Sequence, residues 1–295
     1  MTAAKVVILL LQASIFLTVF SLGLDATFQD ASWLLQRPRL LLRSLVAMNV
    51  IMPLFAALLA AAFHLHPAVK AALVLLAVSP VPPMLPRKEM KLAGTSSYVL
   101  GLLVTTALLA IVVVPLTIKL LAAVFNVEMG IRPASVAKVV VTTVLLPLML
   151  GIVVHVQAPG LAERRGPVLA RVAFAILVLI AVSLLVVEWR SMVGLVGNGT
   201  LASIVAFIFV GVTAGHLLGG PDPANRTTLA LATASRHPGL AIAIATANFP
   251  GQVRLITAAV VLYLMVKAIL LIPYNAWSTR RHATKPEAPH GRQAA

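Results

Sequence analysis

The chain has 295 residues, 60% of them apolar and 11% charged, with a formal net charge of +15 and a mean hydropathy of +1.02. Soluble domains hold roughly 45–50% apolar and about 25% charged residues, so this chain could not cover a water-soluble globule, and it is too apolar to be disordered. Cysteine is absent, which excludes disulfides, thiolate metal sites and cysteine nucleophiles.

Apolar runs near the ~20 residues that cross ~30 Å of hydrocarbon predict an all-α polytopic membrane protein of about nine helices. The first span covers 5–24, with one early Lys5 and no convincing small-x-small cleavage site before Asp25. It reads as a membrane helix and not as a removable leader. The second covers 40–63. The third begins near Pro67 and is interrupted at Pro80–Pro86. The fourth covers 95–122, the fifth 134–156, the sixth 167–187 and the seventh 200–218. The eighth begins near Thr227 and is interrupted around Arg236–Pro238. The ninth covers 254–277. One membrane domain is therefore expected over 1–277. A basic, Pro-containing, disordered cytoplasmic tail is expected over 278–295.

Basic residues set the expected orientation. With the N-terminus outside, the inner ends carry Arg37, Arg39, Arg43, Arg87, Lys88, Lys91, Arg164, Arg165, Arg171, Arg226, Arg280, Arg281, Lys285 and Arg292. The outer ends carry only Lys5, Lys70, Lys119, Arg132, Lys138, Arg190 and Arg254. Lys and Arg collect in short cytoplasmic loops, so the bias favours N-outside and C-inside, in a plasma or inner membrane. The same rule accounts for the positive charge, and no basic stretch carries a nucleic-acid-binding fold, so no nucleic-acid partner is expected. The tail would rest on anionic lipid headgroups.

Two spans are unlike the others. The third reads Ser79-Pro80-Val81-Pro82-Pro83-Met84-Leu85-Pro86 at its centre. Each proline removes a backbone donor and clashes with the preceding turn, so the helix cannot continue. The eighth breaks once, at Ser235-Arg236-His237-Pro238-Gly239. In lipid such breaks persist only where protein or a watery cavity meets the freed backbone groups. If the first four spans (repeat one, about 5–122) correspond to the last four (repeat two, about 134–277, with the fifth span leading), both breaks fall in the third helix of a repeat. The odd offset inverts the second repeat. Interrupted spans at matching positions of inverted halves point to a transport site near the midplane, whereas ordinary proline kinks are the bland alternative.

At these segments the chain resembles the bile acid:sodium symporter family. The matching stretches are Leu22-Gly23-Leu24 through Arg37-Pro38 to Ile51-Met52-Pro53, Leu145-Leu146-Pro147 into Gly151-Ile152-Val153-Val154-His155, and Thr228-Leu229 through the break to Gly239-Leu240-Ala241. The likeness runs from residue 5 to about 275. It implies two inverted repeats, with a panel domain beside a core domain in which two broken helices cross. It also implies a nine-helix form lacking one helix. The chain departs from the family's sodium ligands. The family's Ser-Asn on the first crossing helix falls at Leu85-Pro86. Its Glu and Gln-Asn-Ser on the second fall at Ala232 and at Arg236-His237-Pro238. A family Gln falls at Met48, beside Asn49, and two hydroxyls fall at Val99 and Leu103. Sodium needs several hard oxygen ligands, and Arg236 would repel it, so sodium coupling is not expected.

Ionisable residues within membrane spans are candidate functional groups. Arg236 and His237 lead, because a guanidinium at a helix break suits a carboxylate or sulfonate. The alternative is that Arg236 pairs with carbonyls exposed by the break. His237 could titrate near neutral pH and couple transport to protons, with Glu89 as the one acid near a break; a structural imidazole is the competing reading. Asn49, Ser79, Pro82, Pro86, Ser97, Thr106, Ser235 and Pro238 complete the expected pathway, although such polar residues often bond between helices or to their own backbone. No Gly-rich phosphate loop, nucleophile elbow or paired-carboxylate site occurs, so no enzyme activity, cofactor or metal is expected. The expected function is secondary transport of a small organic anion by alternating access, driven by protons or by no ion ahead of sodium. A membrane receptor that keeps the fold without flux is the alternative.

Overall fold

The computed structural model describes residues 3–82, 96–126 and 130–283. All regular structure among them is helical. α1 covers Ala3–Gly23 and is followed by a short α2, Phe28–Ser32. α3 covers Pro38–Ala62, α4 Pro67–Val78, α5 Ser96–Phe125 and α6 Pro133–Gln157. α7 covers Pro159–Leu195 and α8 Thr200–Leu218. Two half-helices follow, α9 at Pro223–Ala234 and α10 at Pro238–Asn248. α11 covers Val253–Ala283. Among the described residues, α3, α5, α6, α7, α8 and α11 are long and apolar enough to cross a membrane, and the protein is a polytopic membrane protein.

The spans fall where hydropathy predicts, with two extensions. The sixth, expected over 167–187, runs the full 37 residues of α7. A helix that long reaches about 55 Å, so it projects beyond the hydrocarbon, and its flanks carry the polar residues that hydropathy left out. It lies at the periphery, with only 11% of its most apolar window buried against protein. α11 likewise passes the expected boundary at 277 and reaches Ala283. Ser278 there is buried, its hydroxyl 3.0 Å from that of Thr227. The second half of the third span, including Arg87–Gly94, lies outside the described residues, as does the tail beyond 283.

Two packing groups emerge, joined where α7 lies along α11. α1 lies against α6 and α7. Its closest approach is at Gly23 and Gly151: a Cβ on Gly23 would land on the Leu148 carbonyl oxygen, and one on Gly151 on that of Phe20. The other group gathers α3, α4 and α8 to α11. Within it, Gly211 and Gly215 of α8 and its C-cap Gly219 form a stripe at four-residue spacing, against the backbone of α9 at Ala234, Ala230 and Arg226. Without a hydrophobic drive between helices in lipid, such small-residue seams gain their energy from close backbone packing. α4 packs against α3, α10 and α11, which brings the first break beside the second.

The turn between α1 and α3 is tied down by polar groups. Thr27 and Asp30 form a capping box at the start of α2, in which each side chain satisfies the other residue's backbone N–H. The other carboxylate oxygen of Asp30 accepts the hydroxyl of Ser97 at the start of α5. Deeper in, Tyr98 of α5 is fully buried and meets the Ser44 hydroxyl of α3 at 2.9 Å.

Candidate functional site

α4 ends at Val78, and Ser79 serves as its C-cap with extended backbone, its N–H on the Leu76 carbonyl. Pro80 and Pro82 follow and carry no N–H, so the helix does not continue past this cap. α9 ends in the same way at Ala234, with Ser235 as C-cap. The chain restarts at Pro238, the first residue of α10, where a proline costs no hydrogen bond. The break anticipated at Arg236–Pro238 is therefore present, and the helix ends where the one anticipated at Pro80–Pro86 begins, residues 83–86 lying outside the described ones.

The two breaks touch. The backbone N–H of His237 donates to the Pro80 carbonyl at 3.1 Å. Arg236 has no exposed surface. Its Nη1 donates to the Ser79 carbonyl at 3.2 Å and its Nη2 to the Met48 carbonyl at 2.8 Å. Met48 sits in a π-helical turn of α3, Val46–Ile51. In the π register its carbonyl looks five residues ahead for an N–H, and that position is Pro53, which has none. A proline on one helix thus frees the acceptor that a guanidinium from another fills. Tyr263 of α11 closes the third side: it is fully buried and donates its hydroxyl to the Ala234 carbonyl.

His237 N-caps α10. Its Nδ1 accepts the Leu240 N–H at 3.1 Å, so Nδ1 carries no proton in this arrangement and the neutral ring holds its proton on Nε2. Two buried donors then lack an acceptor, Nε of Arg236 and Nε2 of His237. The buried hydroxyls of Thr105, Ser203, Thr228 and Thr233 are likewise without a partner among the described residues. Buried polar groups are overwhelmingly hydrogen-bonded, so a cluster of exceptions calls for an explanation.

The other expected residues divide. Ser79, Pro82 and Ser235 are buried at the breaks; the Ser79 hydroxyl turns back to the Leu75 carbonyl at 2.7 Å. Asn49 is half-buried in the π turn, next to Met48. Thr106 is buried, but its hydroxyl is committed to Leu102 of its own helix at 2.7 Å. Ser97 is bound to Asp30 in the α2 turn, apart from the breaks. Pro86 and Glu89 lie outside the described residues. Sequence reading passed over Met48 as an acceptor and Tyr263 as a clamp. The signal for Met48 was Pro53; nothing short of the fold marks Tyr263. A separate apolar cavity of about 320 Å³ lies among α1, α6 and α7, lined by Phe20, Leu24, Val154, Leu161, Arg165, Val168 and Leu169. It belongs to the first packing group and does not reach the breaks.

The model of the Sodium Bile acid symporter family matches residues 13–195. That is more than half of the chain. It includes the π turn and the first break and stops short of the second, where Arg236 lies. No curated protein matches the chain. Span order, the first break and this match agree: the chain belongs to the sodium bile acid symporter family.

Proposed function

We propose that the protein is a secondary transporter that carries a small organic anion across a membrane by alternating access, without sodium as its driving ion. The observation that carries this reading is the pair of buried donors on consecutive residues, Arg236 Nε and His237 Nε2, that have no partner among the described residues, at the contact between two broken spans. A carboxylate or sulfonate supplies the acceptors both lack. Ser79 and Met48 hold one N–H each of the two Nη groups, and the Nε N–H, which has no partner among the described residues, is the donor offered to a small anionic group. Both donors are sealed from solvent, so an anion enters only when the helices part. A shift between packed states of that kind is what alternating access requires.

The positions at which the family resemblance places sodium ligands favour a different drive. Met48, Val99, Leu103 and Ala232 are all buried and present no side-chain oxygen. His237 offers a route for protons instead: protonating Nδ1 removes the acceptor that caps α10. α1, α6 and α7 form the panel and the remaining long helices the core, one domain over 1–277 built of repeats at about 5–122 and 134–277. The N-terminus lies outside and the C-terminus in the cytoplasm of a plasma or inner membrane.

The test is uptake of radiolabelled organic acids into proteoliposomes, with sodium and proton gradients imposed separately. Accumulation without sodium, lost in Arg236→Ala, supports the proposal. Uptake that requires a sodium gradient contradicts it. Binding of the same acids with no flux under any gradient replaces transport with a receptor role.

A further inference from the structure

The guanidinium of Arg236 lies where two half-helices end. α4 presents the carbonyl of its C-cap Ser79, and α9 ends two residues before Arg236, its Ala234 carbonyl taken by Tyr263. Helix C-termini carry about half a negative charge each, through carbonyls that lack intrahelical donors. A third element contributes the Met48 carbonyl freed by Pro53. No acidic side chain forms an ion pair with Arg236 among the described residues. The positive charge is thus balanced by carbonyl dipoles from separate segments, which is the way proteins hold a desolvated metal cation with hard oxygen ligands. A side chain that is always charged does here what an ion from solution would do.

We propose that Arg236 is a tethered cation: its guanidinium permanently fills a carbonyl-lined cation position between α3 and the end of α4, so the broken spans dock without taking an ion from the medium. Two consequences follow. The docked state is insensitive to the identity of the soluble cation. Truncating the side chain leaves a carbonyl-lined hole that accepts a free cation of matching shape. This deepens the transport reading above and rests on it only for what it says about driving ions; the docking claim is tested on stability, without any flux measurement.

The experiment is thermal unfolding of the purified, detergent-solubilised full chain, at equal ionic strength, in the chloride salts of sodium, lithium, potassium and N-methylglucamine. The wild type should melt at the same temperature in all four. A melting temperature raised selectively by sodium or lithium overturns the proposal. Arg236→Ala should melt lower and be partly restored by guanidinium chloride at low, non-denaturing concentration, relative to N-methylglucamine. A folded Arg236→Ala that shows no such recovery overturns it too. If Arg236→Ala does not fold, Arg236→Lys is compared with Arg236→Gln. Lys keeps the charge and Gln keeps only a neutral donor, so a higher melting point for Lys supports the tethered cation and equal or reversed melting points overturn it. Absence of uptake by the wild type under any gradient, with these stability results intact, would sink the transport reading and leave the docking claim standing.

Discussion

Arg236 donates to the carbonyl of Met48 across 188 residues of sequence, at 2.8 Å. The contact joins a broken helix to a π turn, two irregularities that each leave backbone groups unsatisfied. Their pairing explains how both survive in a membrane, where an unpaired peptide group costs several kcal/mol. Replacing Arg236 by Met keeps volume and removes both donors. With the Ser79 and Met48 carbonyls orphaned, stability should fall by about 1–3 kcal/mol for each, the cost of a buried acceptor left unpaired. Differential scanning fluorimetry in detergent reads this as a lowered, still cooperative melt.

Tyr263 holds the Ala234 carbonyl at the end of α9. Tyr263→Phe removes one oxygen and preserves the edge-on ring contact with Phe207, whose centroid is 6.0 Å away. The expected loss is about 1–3 kcal/mol, that of a buried acceptor left unpaired, measured by the same melt. A neutral result would show that water or another donor reaches Ala234.

His237 caps α10 through an unprotonated Nδ1. Asn is an equally good N-cap and does not titrate. His237→Asn should therefore keep the fold and bring uptake to a level that no longer varies with pH. Proteoliposome uptake at stepped pH checks this. If the variant keeps the wild-type pH profile, the proton acts elsewhere.

Asp30 sits outside the spans. Burial pushes its carboxyl up, but hydrogen bonds from Ser97 and Thr27 outweigh this and hold it below the ordinary value of 3.8. A depressed carboxyl contributes stability that is complete above its unfolded value and disappears as pH falls through its folded value. The wild type should lose this contribution only under acid, and Asp30→Asn should lack it at neutral pH and show a shallower acid slope. Melting temperatures taken from about pH 6 down to about pH 3 test the sign: parallel curves for the two proteins would contradict it.

Gly215 faces α9 so closely that a Cβ would land on the Leu229 carbonyl oxygen and the Ala230 backbone. Gly215→Ala should push the two helices apart and cost about 1–3 kcal/mol, the usual cost of overpacking. Gly194, which has nothing near its absent Cβ, should accept Ala with little change and serves as the control in the same assay.

What the sequence disclosed followed the range of the interaction. Hydropathy acts over about twenty residues, so the spans were legible, and Pro80, Pro82 and Pro238 marked both breaks. α7 was read short because its ends leave the hydrocarbon and lose their apolar signal. Arg236 was legible as a buried charge at a break, but its partners were not: Met48 and Ser79 are backbone acceptors, and any residue type carries a carbonyl. The stripe Gly211, Gly215, Gly219 is visible as spacing, whereas the face of α9 that it meets is not. The hydrogen bond of Ser97 was not legible either, since its partner Asp30 lies 67 residues away in a turn whose path hydropathy does not describe.

The central claim is that the two broken spans meet, with residue 237 against residue 80. The chain has no cysteine of its own, so a double variant Pro80→Cys/His237→Cys reports on that pair alone. Brief oxidation in membranes, followed by proteolysis between the breaks and denaturing electrophoresis, should leave the two fragments joined, because backbone groups 3.1 Å apart put the two Cα atoms within the ~4.4–6.8 Å span of a disulfide. Fragments that separate fully, from a protein whose single-cysteine forms each react with a small maleimide, would show that the breaks do not meet.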